Sequence, residues 1–300
     1  MLMAQAHILV GEPSHLTHLS IRRVGTADLA DALKKGWDDF AAMPSHAVFL
    51  CVIYPIIGMV LAGLTLGYAL VPLLFPLAAG FALIGPIAAI GLYELSRRRE
   101  AGVDVAATDA FDVRHSPSIG AIVALGTLLM LLFLIWVATA HAIYVAHFGY
   151  GAPASIEAFL RDVLLTPTGW SLIVIGNGVG FLFAVAALVV SVVSFPLLLD
   201  RDVGAAVALA TSARAVLRNP AVMALWGLIV AGLLFLGSLP LFLGLPVVLP
   251  VLGHATWHLY RKVVEPDPTP RPQYHPRDKG PRYAADFPAV LFPWSKEERR

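Results

Sequence analysis

The stretch Ile119–Ala140, IGAIVALGTLLMLLFLIWVATA, decides the fold. It carries a dozen Leu, Ile, Val and Phe residues and no charge. At about −0.3 to −0.6 kcal/mol for each such residue near a bilayer centre, its insertion gains on the order of 4 to 7 kcal/mol. No central Arg or Asp opposes that gain with its roughly 2.5–3.5 kcal/mol. One bilayer crossing takes about 20 apolar residues as a helix, and this run supplies them.

The same pattern extends outward along the chain. Of its 300 residues, 58% are apolar and 14% charged, where soluble domains have roughly 45–50% and about 25%. The mean hydropathy is +0.76. A soluble globular enzyme is therefore excluded first. Four stretches hold no Asp, Glu, Lys or Arg: Ser45–Tyr93, His115–Ile156, Val163–Leu199 and Asn219–Tyr260. The first is broken near Gly67–Pro72 and the last at Gly237–Pro240. The expectation is an all-α polytopic helix bundle with six transmembrane helices, at about 47–67, 71–93, 119–145, 171–199, 221–237 and 240–259. They fill a membrane domain over 21–264, between a flexible N-terminus (1–20) and a tail (265–300). In the tail, eight of the last 37 residues are proline, which favours an extended, disordered cytoplasmic segment.

Charge fixes an expected orientation. With these spans, 20 of the 21 Lys and Arg residues lie on one side and Arg161 alone on the other. The positive-inside rule then places both termini in the cytoplasm of a multi-pass protein. Net charge is +1, which implies no nucleic-acid partner. The single cysteine, Cys51, can form neither an internal disulfide nor a cysteine-based zinc site. The first twenty residues lack a basic n-region, so the first membrane segment is expected to do the targeting.

Four spans follow similar text: ADALKKGWDDFAAMPSH, ATDAFDVRHSPSIG, IEAFLRDVLLTPTGW and ATSARAVLRNPAVMALW. Each is a short amphipathic stretch, then a proline (Pro44, Pro117, Pro167, Pro220), then the span. In the third, Ile156, Phe159, Leu160, Val163 and Leu164 keep the helical period. Such stretches lie in the headgroup plane with their apolar face down. The proline opens the next helix, where its missing N–H is harmless. Generic surface linkers explain the recurrence more simply than an internal duplication.

Several of these segments carry a family resemblance. RRVGTADLADALKKGWDDF, FLCVIYPIIGMVLA, FPLAAGFALIGPIAAIGLYELSRRRE, SVVSFPLLLDRDVG and VLGHATWHLYRKV, spread over roughly 20–264, resemble a proteobacterial family of predicted integral membrane proteins, domain-of-unknown-function family 2189. The resemblance implies a bacterial inner-membrane location and no particular activity.

Candidate chemistry is sparse. His254 and His258, four apart, share a helix face, and His46 is expected at the same side, so the three could hold haem or a metal. The preferred reading is interfacial histidines beside Trp257 and Tyr260 in an aromatic belt. In the fourth span, Gly176 and Gly180 form a small-xxx-small pattern around Asn177, which reads as interhelical glue before it reads as a polar pathway. Spans two and six are rich in proline, as in some transporters, yet no ionisable residue sits at membrane depth. Arg97, Arg98 and Arg99 could contact anionic lipid headgroups and also serve as a topology signal. No nucleophile–base pair, carboxylate pair or phosphate loop appears, so no enzyme, no cofactor and no metal is expected. The leading expectation is a scaffold or assembly partner for another membrane protein in the bilayer. A permease or channel for a neutral or lipid-like solute and a haem or metal protein are the alternatives.

Overall fold

The computed structural model describes residues 19–43, 71–151, 153–240 and 242–266. Among them the secondary structure is helical, apart from one antiparallel bridge between Ile21 and Val264. Helix α1 spans Thr26–Ala42. A 3-10 turn at Val71–Leu73 leads into α2 (Leu74–Ala88) and α3 (Ile90–Glu100). A 3-10 helix at Ala107–His115 precedes α4 (Ile119–Phe148). Then come α5 (Ile156–Leu165), α6 (Pro167–Ser191), α7 (Ser194–Asp200), α8 (Ala205–Arg218), α9 (Pro220–Ser238) and α10 (Leu245–Val263).

Local chemistry sets many of these ends. The Asp28 carboxylate reaches back to the Gly25 N–H at 2.9 Å, satisfying an orphan donor at the start of α1. Ser155 Oγ accepts from the Ala158 N–H, and Thr166 Oγ1 from the Gly169 N–H, both at 3.0 Å. Pro167 and Pro220 stand in the first turns of α6 and α9, as the sequence pattern requires.

Among the described residues three helical runs are long and apolar enough to cross a membrane: Ile119–Phe148 (30 residues), Pro167–Asp200 (34 residues, α6 with α7) and Pro220–Ser238 (19 residues). At 1.5 Å per residue the first is about 45 Å long, more than a bilayer's hydrocarbon core. Their outer faces carry large apolar side chains, including Val123, Leu134, Val174, Phe181, Leu228 and Phe235. Patches of this kind suit lipid and not water.

The count of six expected from the sequence is not reached by these criteria. The segment expected at 47–67 lies outside the described residues. The one at 71–93 is divided between α2 and α3 at Ala89, three residues after Pro86, so neither piece has span length. The one at 240–259 begins at Leu245 and runs on to Arg261 and Lys262. Its C-terminal half packs into protein, with His254, Trp257, Leu259 and Tyr260 fully buried.

Two cores result. Among the spans, α2, α4 and α6 pack around Trp136, whose indole N–H donates to the Pro76 carbonyl at 2.8 Å. Phe183 packs on the same ring, centroid to centroid 5.5 Å. Backbone comes this close because Gly80 and Gly180 face the indole: a Cβ would lie 2.7 Å and 2.9 Å from it. At the other core, α1 lies along α10. A Cβ on Gly36 would sit 2.7 Å from both Ala255 Cβ and Val251 O. Leu29, Ala32 and Phe40 complete the buried stripe of α1. This helix therefore rests on protein, where the sequence suggested a lipid surface. By contrast α5 has no buried residue, and Ile156, Leu160 and Leu164 are exposed on its apolar side, as an interfacial helix requires.

Candidate functional site

The polar residues with chemical potential converge where α1, α3 and α10 meet. Asp39 is the hub, only 6% exposed. Ser96 Oγ donates to Asp39 Oδ2 at 2.6 Å, and His258 Nε2 lies 2.8 Å from the same oxygen. Arg99 meets Asp39 Oδ1 at 3.2 Å and donates to the Asp38 carbonyl at 2.8 Å. His254 Nδ1 lies 2.7 Å from Ser96 Oγ. Ser96 has one proton, and it points at the carboxylate. Its lone pair therefore accepts from His254 Nδ1–H, which fixes the neutral tautomer and leaves Nε2 as a bare acceptor. That Nε2 is buried without a hydrogen-bond partner. Burial pushes the Asp39 carboxyl up, but hydrogen bonds from His258 and Ser96 outweigh it and hold the group below its ordinary 3.8.

A second knot lies beside the first. Arg98 reaches Glu94 at 2.8 Å, Asp109 at 3.1 Å and Asp112 at 2.8 Å, pinning the 3-10 helix to α3. Arg97 meets Glu94 at 2.8 Å. A third ties α10 to its neighbours: Tyr260 Oη donates to Asp200 at 2.8 Å, Arg261 reaches Glu100 at 3.0 Å, and Trp257 Nε1 donates to Glu100 at 2.9 Å. At the rim, Lys262 meets Asp31 at 2.8 Å and Asp28 at 3.3 Å. Hydrogen bonds from Lys262 and Lys35 hold the Asp31 carboxyl low.

An open cleft of about 410 Å³ lies over this layer. Four cations (Lys35, Arg99, Arg261, Lys262) and three carboxylates (Asp38, Asp39, Glu100) line it, with His258. Each of those cations meets a carboxylate, the arginines at Asp39 and Glu100 in the cleft and the lysines at Asp28 and Asp31 beside it.

The residues singled out in the sequence fall as follows. His254 and His258 are brought together with Asp39 and Ser96, while His46 lies outside the described residues. Among the described residues no three His, Cys, Asp or Glu side chains converge as metal ligands. Arg97 and Arg98 turn into the protein, onto Glu94, Asp109 and Asp112, while Arg99 pairs with Asp39 and stays more than a third exposed. Gly180 packs on Trp136, but nothing lies within 4 Å of a Cβ on Gly176. Asn177 is exposed on α6 and donates to the Ile173 carbonyl of its own helix at 2.8 Å.

Sequence reasoning missed Asp39 and Ser96. A signal existed for Asp39. The series Leu29, Ala32, Gly36, Asp39, Met43 follows the 3-4-3-4 spacing of one helix stripe, and a carboxylate inside such a stripe needs a partner.

No curated protein and no solved structure matches the chain. Residues 73–200, from the end of the 3-10 turn to the end of α7, match the family described as predicted integral membrane protein, domain-of-unknown-function family 2189.

Proposed function

We propose that this protein is a non-catalytic scaffold of the bacterial inner membrane, with both termini in the cytoplasm, that holds a partner membrane protein. One observation carries the reading: the side chains able to do chemistry are engaged in joining distant helices. Asp39 reaches His258 across 219 residues of chain and Ser96 across 57. Ser96, Asp39 and His254 have the residue types of a nucleophilic triad, but the hydroxyl donates its hydrogen bond to the carboxylate and not to the imidazole, and it is fully buried. The result is a rigid polar cap fixed to apolar spans.

Topology supports the same reading. Arg22 N–H donates to the Val263 carbonyl at 2.8 Å, and Asn219 bonds the Val24 N–H and the Arg22 carbonyl at 2.9 and 3.1 Å. The segment before α1, the start of α9 and the end of α10 thus sit at one end of the bundle. Helices α9 and α10 form a hairpin that leaves that end and returns to it, in keeping with the six-crossing arrangement. Basic residues cluster at the same end, which favours the cytoplasm.

The test is extraction of the full-length protein from native membranes directly into polymer-bounded lipid discs, followed by affinity capture through a tag. A membrane protein co-purifying in fixed ratio is expected. Recovery of this chain alone, or solute flux in liposomes reconstituted with it, would overturn the proposal.

A further inference from the structure

Arg97, Arg98, Arg99, Arg261 and Lys262 all meet carboxylates. Arg23 and Arg218 do not: both are exposed, and among the described residues neither meets a hydrogen-bond acceptor or an acid. Their positions are nevertheless fixed. Asn219, only 5% exposed, follows Arg218 and clamps the backbone on both sides of Arg23, through the Arg22 carbonyl and the Val24 N–H. It also donates to the Ala215 carbonyl at 3.2 Å. The backbone bearing two unneutralised arginines is thus held at one junction, and the apolar span α9 starts at Pro220, directly after Asn219.

The helix α9 that starts at this junction carries an apolar track. Ala221, Leu225, Leu228, Gly232, Phe235 and Leu239 are all exposed and spaced four and three apart, on one side of the helix. A Cβ on Gly232 would meet nothing within 4 Å, so the track has a notch at mid-depth. A bare phosphate would use the arginines and ignore the track. A ligand with a negative head and an apolar tail uses both. Arginine suits a phosphodiester head because its fork can donate two parallel hydrogen bonds.

We propose that Arg23 and Arg218 bind the phosphate headgroup of an anionic phospholipid whose acyl chain lies along the outer face of α9. The site differs from the Arg97–Arg99 run, whose guanidiniums each meet a carboxylate.

Native mass spectrometry of the full-length protein in detergent tests this, with phosphatidylglycerol and phosphatidylcholine titrated separately. The expected result is preferential retention of phosphatidylglycerol. An arginine near a surface is worth roughly fivefold in affinity for anionic lipid, so Arg23→Gln/Arg218→Gln loses about 25-fold. Arg23→Lys/Arg218→Lys keeps the charge and most of the affinity. Lys34→Gln, which removes an exposed cation of α1 away from the Asn219 junction, retains the lipid as the parent does. Retention unchanged in the Gln pair, or an equal loss in Lys34→Gln, overturns the site. Displacement of the lipid by millimolar inorganic phosphate assigns the arginines to a free anion and overturns the lipid.

Discussion

Substituting Asp39→Ala should release α1 from α10. The carboxylate accepts from Ser96 and His258 and pairs with Arg99. Removing it leaves the buried Ser96 hydroxyl and the His258 ring without their acceptor, at about 1–3 kcal/mol each. Arg99 is more than a third exposed, so water takes over its lost partner and it adds little. The sum is about 4 kcal/mol, within the roughly 3–5 kcal/mol expected when one member of a buried polar pair is removed. At about 2–4 °C per kcal/mol for a domain of this size, the thermal midpoint should fall by roughly 8–15 °C. Tryptophan fluorescence during heating of the detergent-solubilised protein reads this directly, because Trp257 is buried in the same layer. Asp39→Asn keeps one acceptor oxygen and should lose about half as much. The double variant Asp39→Ala/His258→Ala should destabilise by less than the sum of its singles, since each removes the same bond. A midpoint within about 2 °C of the parent for Asp39→Ala would refute the clasp.

Four further outcomes follow from named contacts. Gly36→Val places a Cβ against the backbone of α10, which cannot yield, so α1 should detach and Lys34 and Lys35 should become sensitive to trypsin. Trp136→Phe loses the bond to the Pro76 carbonyl and part of the contact with Gly80 and Gly180, lowering stability by about 1–3 kcal/mol in chemical denaturation. Arg98→Gln removes the cation that Glu94, Asp109 and Asp112 share, leaves Glu94 to Arg97, and should cost about 3–5 kcal/mol, seen as faster hydrogen exchange over 107–115. The Asp39 carboxyl is held below 3.8 in the fold, so its contribution is complete above that value and is lost as pH falls through the lower folded value. The gap in thermal midpoint between the parent and Asp39→Asn should therefore begin to close only as pH falls below 3.8.

What could be read in the sequence was whatever depends on neighbours along the chain. Ile119–Phe148 and Pro167–Asp200 needed only the absence of charge over one bilayer thickness. Helix α5 needed only its 3.6 period, and the openings of α6 and α9 only Pro167 and Pro220. The clasp depends on residues up to 219 positions apart, and no periodicity encodes which helix an amphipathic stripe will meet. Helix α1 shows the consequence. Its stripe predicts a buried face but does not distinguish lipid from α10; Gly36 and Asp39, the two residues on the stripe that suit a protein neighbour, carried that information. The arginine run 97–99 is a related case: positive charge beside a span suits headgroups, and the sequence alone does not show that Glu94, Asp109 and Asp112 pair with Arg97 and Arg98.

The central claim is that apolar helices cross a bilayer and carry the polar cap on one side and α5 on the other. Cysteine accessibility in intact cells tests it most directly, with Cys51→Ala as the background. In that background, Lys34→Cys and Glu157→Cys are each treated with a membrane-impermeant maleimide. The account predicts that the cysteine at position 157 reacts from outside, while that at position 34 reacts only after the membrane is opened. Labelling of both positions from the same side would contradict it.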